Sequence, residues 1–132
     1  MTEPIQPVTA RAVPGATAVA LEAGTARWRG DLETSLGGAG ADPTPHELLD
    51  SALAACTLLT LQLYAKRRQY PLASCEVRVL RDESPEAYRI ARQVTVGGDL
   101  SEAQRADLLR VAKLCPIHKA LHKRFEIETT LA

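Results

Sequence analysis

"TPHELLDSALAACTLLTLQLYAKRRQ", residues 44 to 69, decides the fold, because it joins a helix start, an almost unbroken apolar body and a basic end. Thr44 can cap the helix, Pro45 suits its first position, and Glu47 stands three residues past the cap, forming a T-x-x-E capping box. The pattern predicts helix to about Gln69. Leu48, Leu49, Leu53, Cys56, Leu59 and Leu63, with the intervening alanines, spread apolar surface around most of its circumference. A chain of 132 residues rarely surrounds one helix completely, so the excess predicts a second subunit lying against it. The stretch also poses a chemical question: Cys56 is either a small core residue or a thiol placed to react.

Length and 45% hydrophobic content predict a single globular domain over 1–132, with a flexible N-terminus at 1–7. Lys+Arg and Asp+Glu number 16 each, so no net positive field draws nucleic acid. The opening MTEPIQPVTA has neither a basic leader nor an apolar core, and no uninterrupted apolar run approaches the roughly 18 residues of a membrane span. The expectation is a cytoplasmic protein that binds neither nucleic acid nor membrane. Three cysteines, an odd number, argue against a structural disulfide framework and for transient disulfide chemistry.

Outward from the long helix, VTARAV (8–13), TAVALEAG (17–24) and TARWRGDLET (25–34) read as an antiparallel meander with a turn at Pro14-Gly15. GGAGADPTP (37–45) is loop. After the helix, CEVRVLRD (75–82) and IARQVTVGGDL (90–100) read as strands joined through SPEAYR. Ser101 and Gln104 repeat the capping signal ahead of a helix near 102–114. Pro116 breaks that helix and starts a new turn, before a last strand in RFEIETTLA. The fold expected is α+β, an antiparallel sheet of about six strands around the long helix.

Among the thiols, Cys75 reads as an inert strand residue, with Glu76 beside it raising its pKa. Cys115 sits where a helix restarts, and the positive end of that helix favours thiolate. One thiol in apolar surroundings and one at a helix start are the ingredients of a nucleophile and its resolving partner.

Two blocks, 43-PTPHELLDSALAACT-57 and 115-CPIHKAL-121, with the Gly-Gly strand end and capped helix between them, resemble the OsmC/Ohr family of osmotically inducible and organic hydroperoxide resistance proteins. The resemblance runs from about Val8 onward and is to the short P-T-P-x-E-L-L type. It implies an OsmC-like fold, an intertwined homodimer and a cysteine-based peroxidase reducing organic hydroperoxides to alcohols. In that scheme Cys56 becomes a sulfenic acid, Cys115 condenses with it to a disulfide, and an external dithiol, of lipoyl type in this family, restores both, without cofactor or metal. Peroxidatic members steady the thiolate with a glutamate directly after the block's proline, and with an arginine. Here His46 holds the glutamate's position and Glu47 follows; Arg27 and Arg29, with Arg11, are the arginine candidates. Ten residues of helix rise about 15 Å, so His46 cannot reach Cys56 along one straight helix.

Two other classes fit the residues. Cys115, His118 and His122 have the spacing of a metal-binding helix face. A non-catalytic dimer binding small apolar ligands would also use the leucine-rich helix and leave Cys56 as packing.

Overall fold

The computed structural model describes residues 5–132; of the stretch 1–7, residues 1–4 lie outside the described residues. The elements run β1 (Thr9–Ala12), β2 (Val19–Ala23), β3 (Ala26–Gly30), α1 (Pro45–Arg68), β4 (Ser74–Glu83), β5 (Tyr88–Gly97), α2 (Glu102–Ala112) and α3 (Pro116–Leu121), an α+β order. By contacts the chain forms two compact units that divide after Leu49, within α1.

In the first unit β1, β2 and β3 form an antiparallel meander, Leu21 lying opposite both Ala10 and Trp28. Pro14 and Gly15 (φ 75°) make the turn, closed by the Ala16 N–H to Val13 O at 3.1 Å. Beyond β3 the buried Asp31 ties the glycine-rich loop down, its carboxylate accepting the Leu32 N–H at 2.7 Å and the Ala39 N–H at 3.0 Å. The Ala39 amide and then the Thr17 hydroxyl hold that carboxyl below its ordinary pKa against the opposing effect of burial. The predicted capping box is present: the Thr44 N–H donates to Glu47 Oε1 at 2.9 Å, and the Glu47 N–H to Thr44 Oγ1 at 3.2 Å.

In the second unit β4 and β5 pair as a hairpin, Val77 opposite Val94 and Val79 opposite Arg92. A two-stranded ribbon is marginal alone. Here a core of Leu61 and Ala65 from α1 with Leu108, Val111 and Ala112 from α2 packs against its Cys75, Val94 and Val96. Gly98 (φ 127°) is obligatory, because a Cβ there would lie 2.1 Å from Pro71 O. The Ser101–Gln104 capping box opens α2 as expected. Asp107 then fastens α2 to α1, accepting 2.6 Å hydrogen bonds from both the Tyr64 and Tyr70 hydroxyls while Arg110 holds its other oxygen at 2.7 Å.

Three expectations are corrected. In place of one sheet of about six strands, the described residues form two sheets, of three strands and of two. RFEIETTLA is not a strand: its residues carry no regular structure, and Phe125, Ile127 and Leu131 are 63, 82 and 100% exposed. A strand exists only with a ladder partner, and no strand among the described residues pairs with this segment. Finally α2 stops at Ala112, because the Lys113 and Leu114 amides bond three residues back and tighten the chain ahead of Pro116.

The helix α1 buries a stripe at every fourth residue, Leu53, Thr57, Leu61 and Ala65, while Leu59 and Leu63 are 65 and 49% exposed in the single chain. By length and composition it is long and apolar enough to cross a membrane, which a count of uninterrupted apolar residues did not register.

Candidate active site

Pro116 cannot extend α2, so the chain restarts as α3 with Cys115 at its cap, and Cys115 Sγ accepts the His118 N–H at 3.3 Å. The sulfur is fully buried. Thr57, from the buried stripe of α1, places its Oγ1 3.6 Å away, and the same hydroxyl lies 2.7 Å from Leu53 O. The hydroxyl donates its single proton to that carbonyl, which leaves its oxygen able to accept from the Cys115 thiol. Arg92 reaches in from β5, where Tyr88, Ile90, Val94 and Val96 point to the same side. One guanidinium nitrogen donates to Thr57 Oγ1 at 3.1 Å and stands 4.0 Å from Cys115 Sγ; the other is 3.0 Å from His118 Nδ1. Arginine only donates, so Nδ1 accepts and the His118 proton sits on Nε2.

Burial pushes the Cys115 thiol up. The His118 amide, the Thr57 hydroxyl, the Cys56 thiol and the Arg92 charge together outweigh burial, and its pKa falls below the ordinary value. Burial, then the charges of Arg92, His122 and Lys113, push His118 down, so its imidazole is neutral at neutral pH. Beside this cluster lies a cavity of about 360 Å³ with Leu53, Ile90 and Leu121 as apolar walls and Tyr88, Arg92 and His118 as polar ones.

The structure brings Cys56 and Cys115 together: the half-buried Cys56 thiol is among the groups that lower the Cys115 pKa, and both are free cysteines. Cys75 packs on the core of the second unit and is pushed up by burial; burial, not the neighbouring Glu76, is what raises it. His46 and Glu47 lie on the first turn of α1, where Glu47 closes the capping box. Arg27 is ion-paired with Glu22, as is Arg11, and Arg29 with Asp42 at 3.3 Å. His118 and His122 stack with ring centres 4.7 Å apart, and no group of three potential metal ligands occurs among the described residues.

Thr57 and Arg92 were missed in the sequence. Both had a signal: a hydroxyl inside the Leu53–Leu61 stripe, and a charge on the apolar face I-x-R-x-V-x-V of a strand.

The model of the OsmC-like protein family matches residues 37–130, and the chain belongs to that family. Among solved structures it is similar to an OsmC-like protein from Mycoplasma pneumoniae (20% identity, 91% of this chain and 89% of that one, TM-score 0.77). It is also similar to the organic hydroperoxide resistance protein OsmC from Legionella pneumophila (21%, 91% and 92%, 0.64). A third is the organic hydroperoxide resistance protein OhrB of Bacillus subtilis (22%, 89% and 90%, 0.60). At these identities the likeness shows a shared α+β fold. No curated protein matches the sequence.

Proposed function

We propose that this protein is a thiol peroxidase that reduces organic hydroperoxides to alcohols. The observation that carries the reading is the pair of neighbouring free thiols, half-buried Cys56 and buried Cys115, in a chain of the OsmC-like family. Two of the similar structures are named as organic hydroperoxide resistance proteins, which agrees with it. The Cys56 sulfur attacks the distal peroxide oxygen, the O–O bond breaks, and the products are a Cys56 sulfenic acid and an alcohol. Cys115 attacks the sulfenic sulfur, a disulfide forms, and the hydroxyl leaves as water. A dithiol, of lipoyl type, returns two electrons to the pair. The cavity walls of Leu53, Ile90 and Leu121 favour an alkyl tail, since apolar burial stabilises by about 25 cal/mol per Å².

The working form in this proposal is a cytoplasmic, intertwined homodimer. Exposed Leu59 and Leu63 offer an apolar face, and 124–132, with Phe125, Ile127 and Leu131 alternating against Glu126, Glu128 and Thr130, is a strand pattern awaiting a partner. Sedimentation at nanomolar concentration is expected to show dimer; a folded monomer contradicts that part of the reading.

One equivalent of an alkyl hydroperoxide, followed by peptide mapping, tests the chemistry. The expected product is a Cys56–Cys115 disulfide with Cys75 free, formed faster than with hydrogen peroxide. Three intact thiols, or a bridge to Cys75, would defeat it.

A further inference from the structure

We propose that the cavity beside the thiols is a carboxylate-binding site. It takes a monocarboxylate with a short apolar body, the head against Arg92 and His118 and the chain along Leu53, Ile90 and Leu121. The site rests on the geometry of this chain; its consequence for turnover, competition with the hydroperoxide, rests on the peroxidase reading above.

The alternation of β5 puts Arg92 on the same side of the strand as Tyr88, Ile90, Val94 and Val96, so a half-buried guanidinium is carried onto an apolar face. A charge in such a place is ordinarily paired with its opposite. Arg92 Nη1 donates to Thr57 Oγ1 at 3.1 Å and stands 4.0 Å from Cys115 Sγ, while Nη2 meets His118 Nδ1 at 3.0 Å. None of these partners is a carboxylate, and Arg92 forms no ion pair among the described residues. Its Nε–H and one proton of Nη2 are left without a partner among those residues. A planar fork of N–H donors is matched by the two oxygens of a carboxylate more closely than by any single hydroxyl.

His118 adds a further donor. Its Nδ1 accepts from Arg92, so its proton is on Nε2, where no described residue meets it. Both residues line the cavity. The other end is different. Tyr88 stands four residues from Arg92 on the same strand, roughly 13 Å away, with Ile90 between them. The Tyr88 hydroxyl donates to Asp50 Oδ1 at 3.1 Å, and Arg81 pairs with Asp50 Oδ2 at 3.1 Å, so the charges there already balance. An anionic head is therefore drawn to the Arg92 end. His122, on the rim, donates from Nδ1 to His118 O at 2.8 Å and brings no negative charge. At about 360 Å³ the cavity is near the lower end of small-molecule sites, which run from roughly 300 to 1,000 Å³, so the body of the ligand is short. Octanoate fits within the span from Arg92 to Tyr88. The same apolar walls would hold the alkyl tail of a hydroperoxide, so the two ligands exclude one another.

The test is isothermal titration calorimetry on the full-length protein, with octanoate and with octan-1-ol as its neutral isostere. Octanoate is expected to bind at least about tenfold more tightly than octanol. Equal affinities, or no octanoate binding at millimolar concentration, overturn the proposal; the second result is also the one obtained if a carboxylate of another subunit already occupies Arg92. Arg92→Met is expected to bring the two ligands within about twofold of each other, and Arg92→Lys to keep part of the preference. A preference that survives in Arg92→Met overturns the assignment. Should that variant not fold, Leu121→Trp, at a half-buried position of the wall, is expected to weaken octanoate about tenfold by filling its space; an unchanged affinity places the ligand elsewhere and overturns the proposal. Added octanoate is expected to raise the KM for an alkyl hydroperoxide with kcat unchanged, and turnover that bound octanoate leaves untouched contradicts the shared cavity. Octanoate binding by a protein that leaves alkyl hydroperoxide intact defeats the peroxidase reading alone. Turnover without octanoate binding defeats this proposal alone.

Discussion

In the first unit Arg11 and Arg27 flank Glu22 and Arg29 meets Asp42, with the arginine side chains 64, 66 and 49% exposed. In the second, Arg92 meets a hydroxyl, a neutral imidazole and a sulfur, none with a fixed negative charge. Exposed arginine–carboxylate pairs cancel their own charge and are screened, so each is worth little. Arg92 keeps its charge available, at a fully buried sulfur where less water screens it. Residue type alone does not distinguish these arginines; the neighbours assembled by folding do.

The largest effect expected is from Cys56→Ser, which should reduce hydroperoxide turnover on the order of a hundredfold or more while the circular dichroism spectrum is retained, because a hydroxyl is a very poor nucleophile towards peroxide. The new hydroxyl costs about 1 to 3 kcal/mol if it finds no partner, readable as a lower Tm. Full turnover in this variant removes Cys56 from the chemistry and leaves the second unit's cluster a packing feature.

Next, Leu59→Glu tests whether the exposed face of α1 is an interface. A charge at a buried dimer contact is expected to yield monomer or unfolded chain in sedimentation, and an unchanged dimer places Leu59 outside any contact.

Asp107→Asn probes a carboxylate in the second unit that resembles neither arginine group, since neutral hydroxyls dominate its surroundings. The Tyr64 hydroxyl, then Tyr70 and Arg110, hold Asp107 far below the usual carboxylate range against the effect of burial. A carboxyl lowered in the folded state contributes stability that is complete above its unfolded pKa, about 4, and is lost as pH falls through the folded value. Urea titrations are thus expected to show a lower Tm-matched stability for Asp107→Asn at pH 7 and a flatter acid dependence below about pH 4; an identical acid limb contradicts the assignment.

Smallest of all should be Arg27→Gln and Arg29→Gln. Given their carboxylate partners, each is expected to change the rate of Cys56 oxidation less than about twofold, since Arg92 and neither of these stands beside the Cys115 sulfur. A loss of about tenfold or more from Arg27→Gln or Arg29→Gln would return the thiolate-steadying role to the early strands and erase the contrast between the units.

The sequence by itself determined what depends on near neighbours. Both capping boxes, the Pro14-Gly15 turn, the β4–β5 alternation and the restart at Pro116 involve groups a few residues apart, whose preferences survive in any context. It also marked Cys56 and Cys115, through two blocks whose order along the chain resembles a family. Tertiary structure alone decided the rest. Residues 124–132 alternate like a strand, yet a ladder needs hydrogen bonds from another segment, and none is supplied by the described residues. Thr57 and Arg92 were visible as polar residues on apolar faces, but which groups they would meet depended on α1, β5 and α3 converging. Hydrogen bonds and charge interactions act over a few ångströms, and only the folded chain sets which of its distant residues come that close.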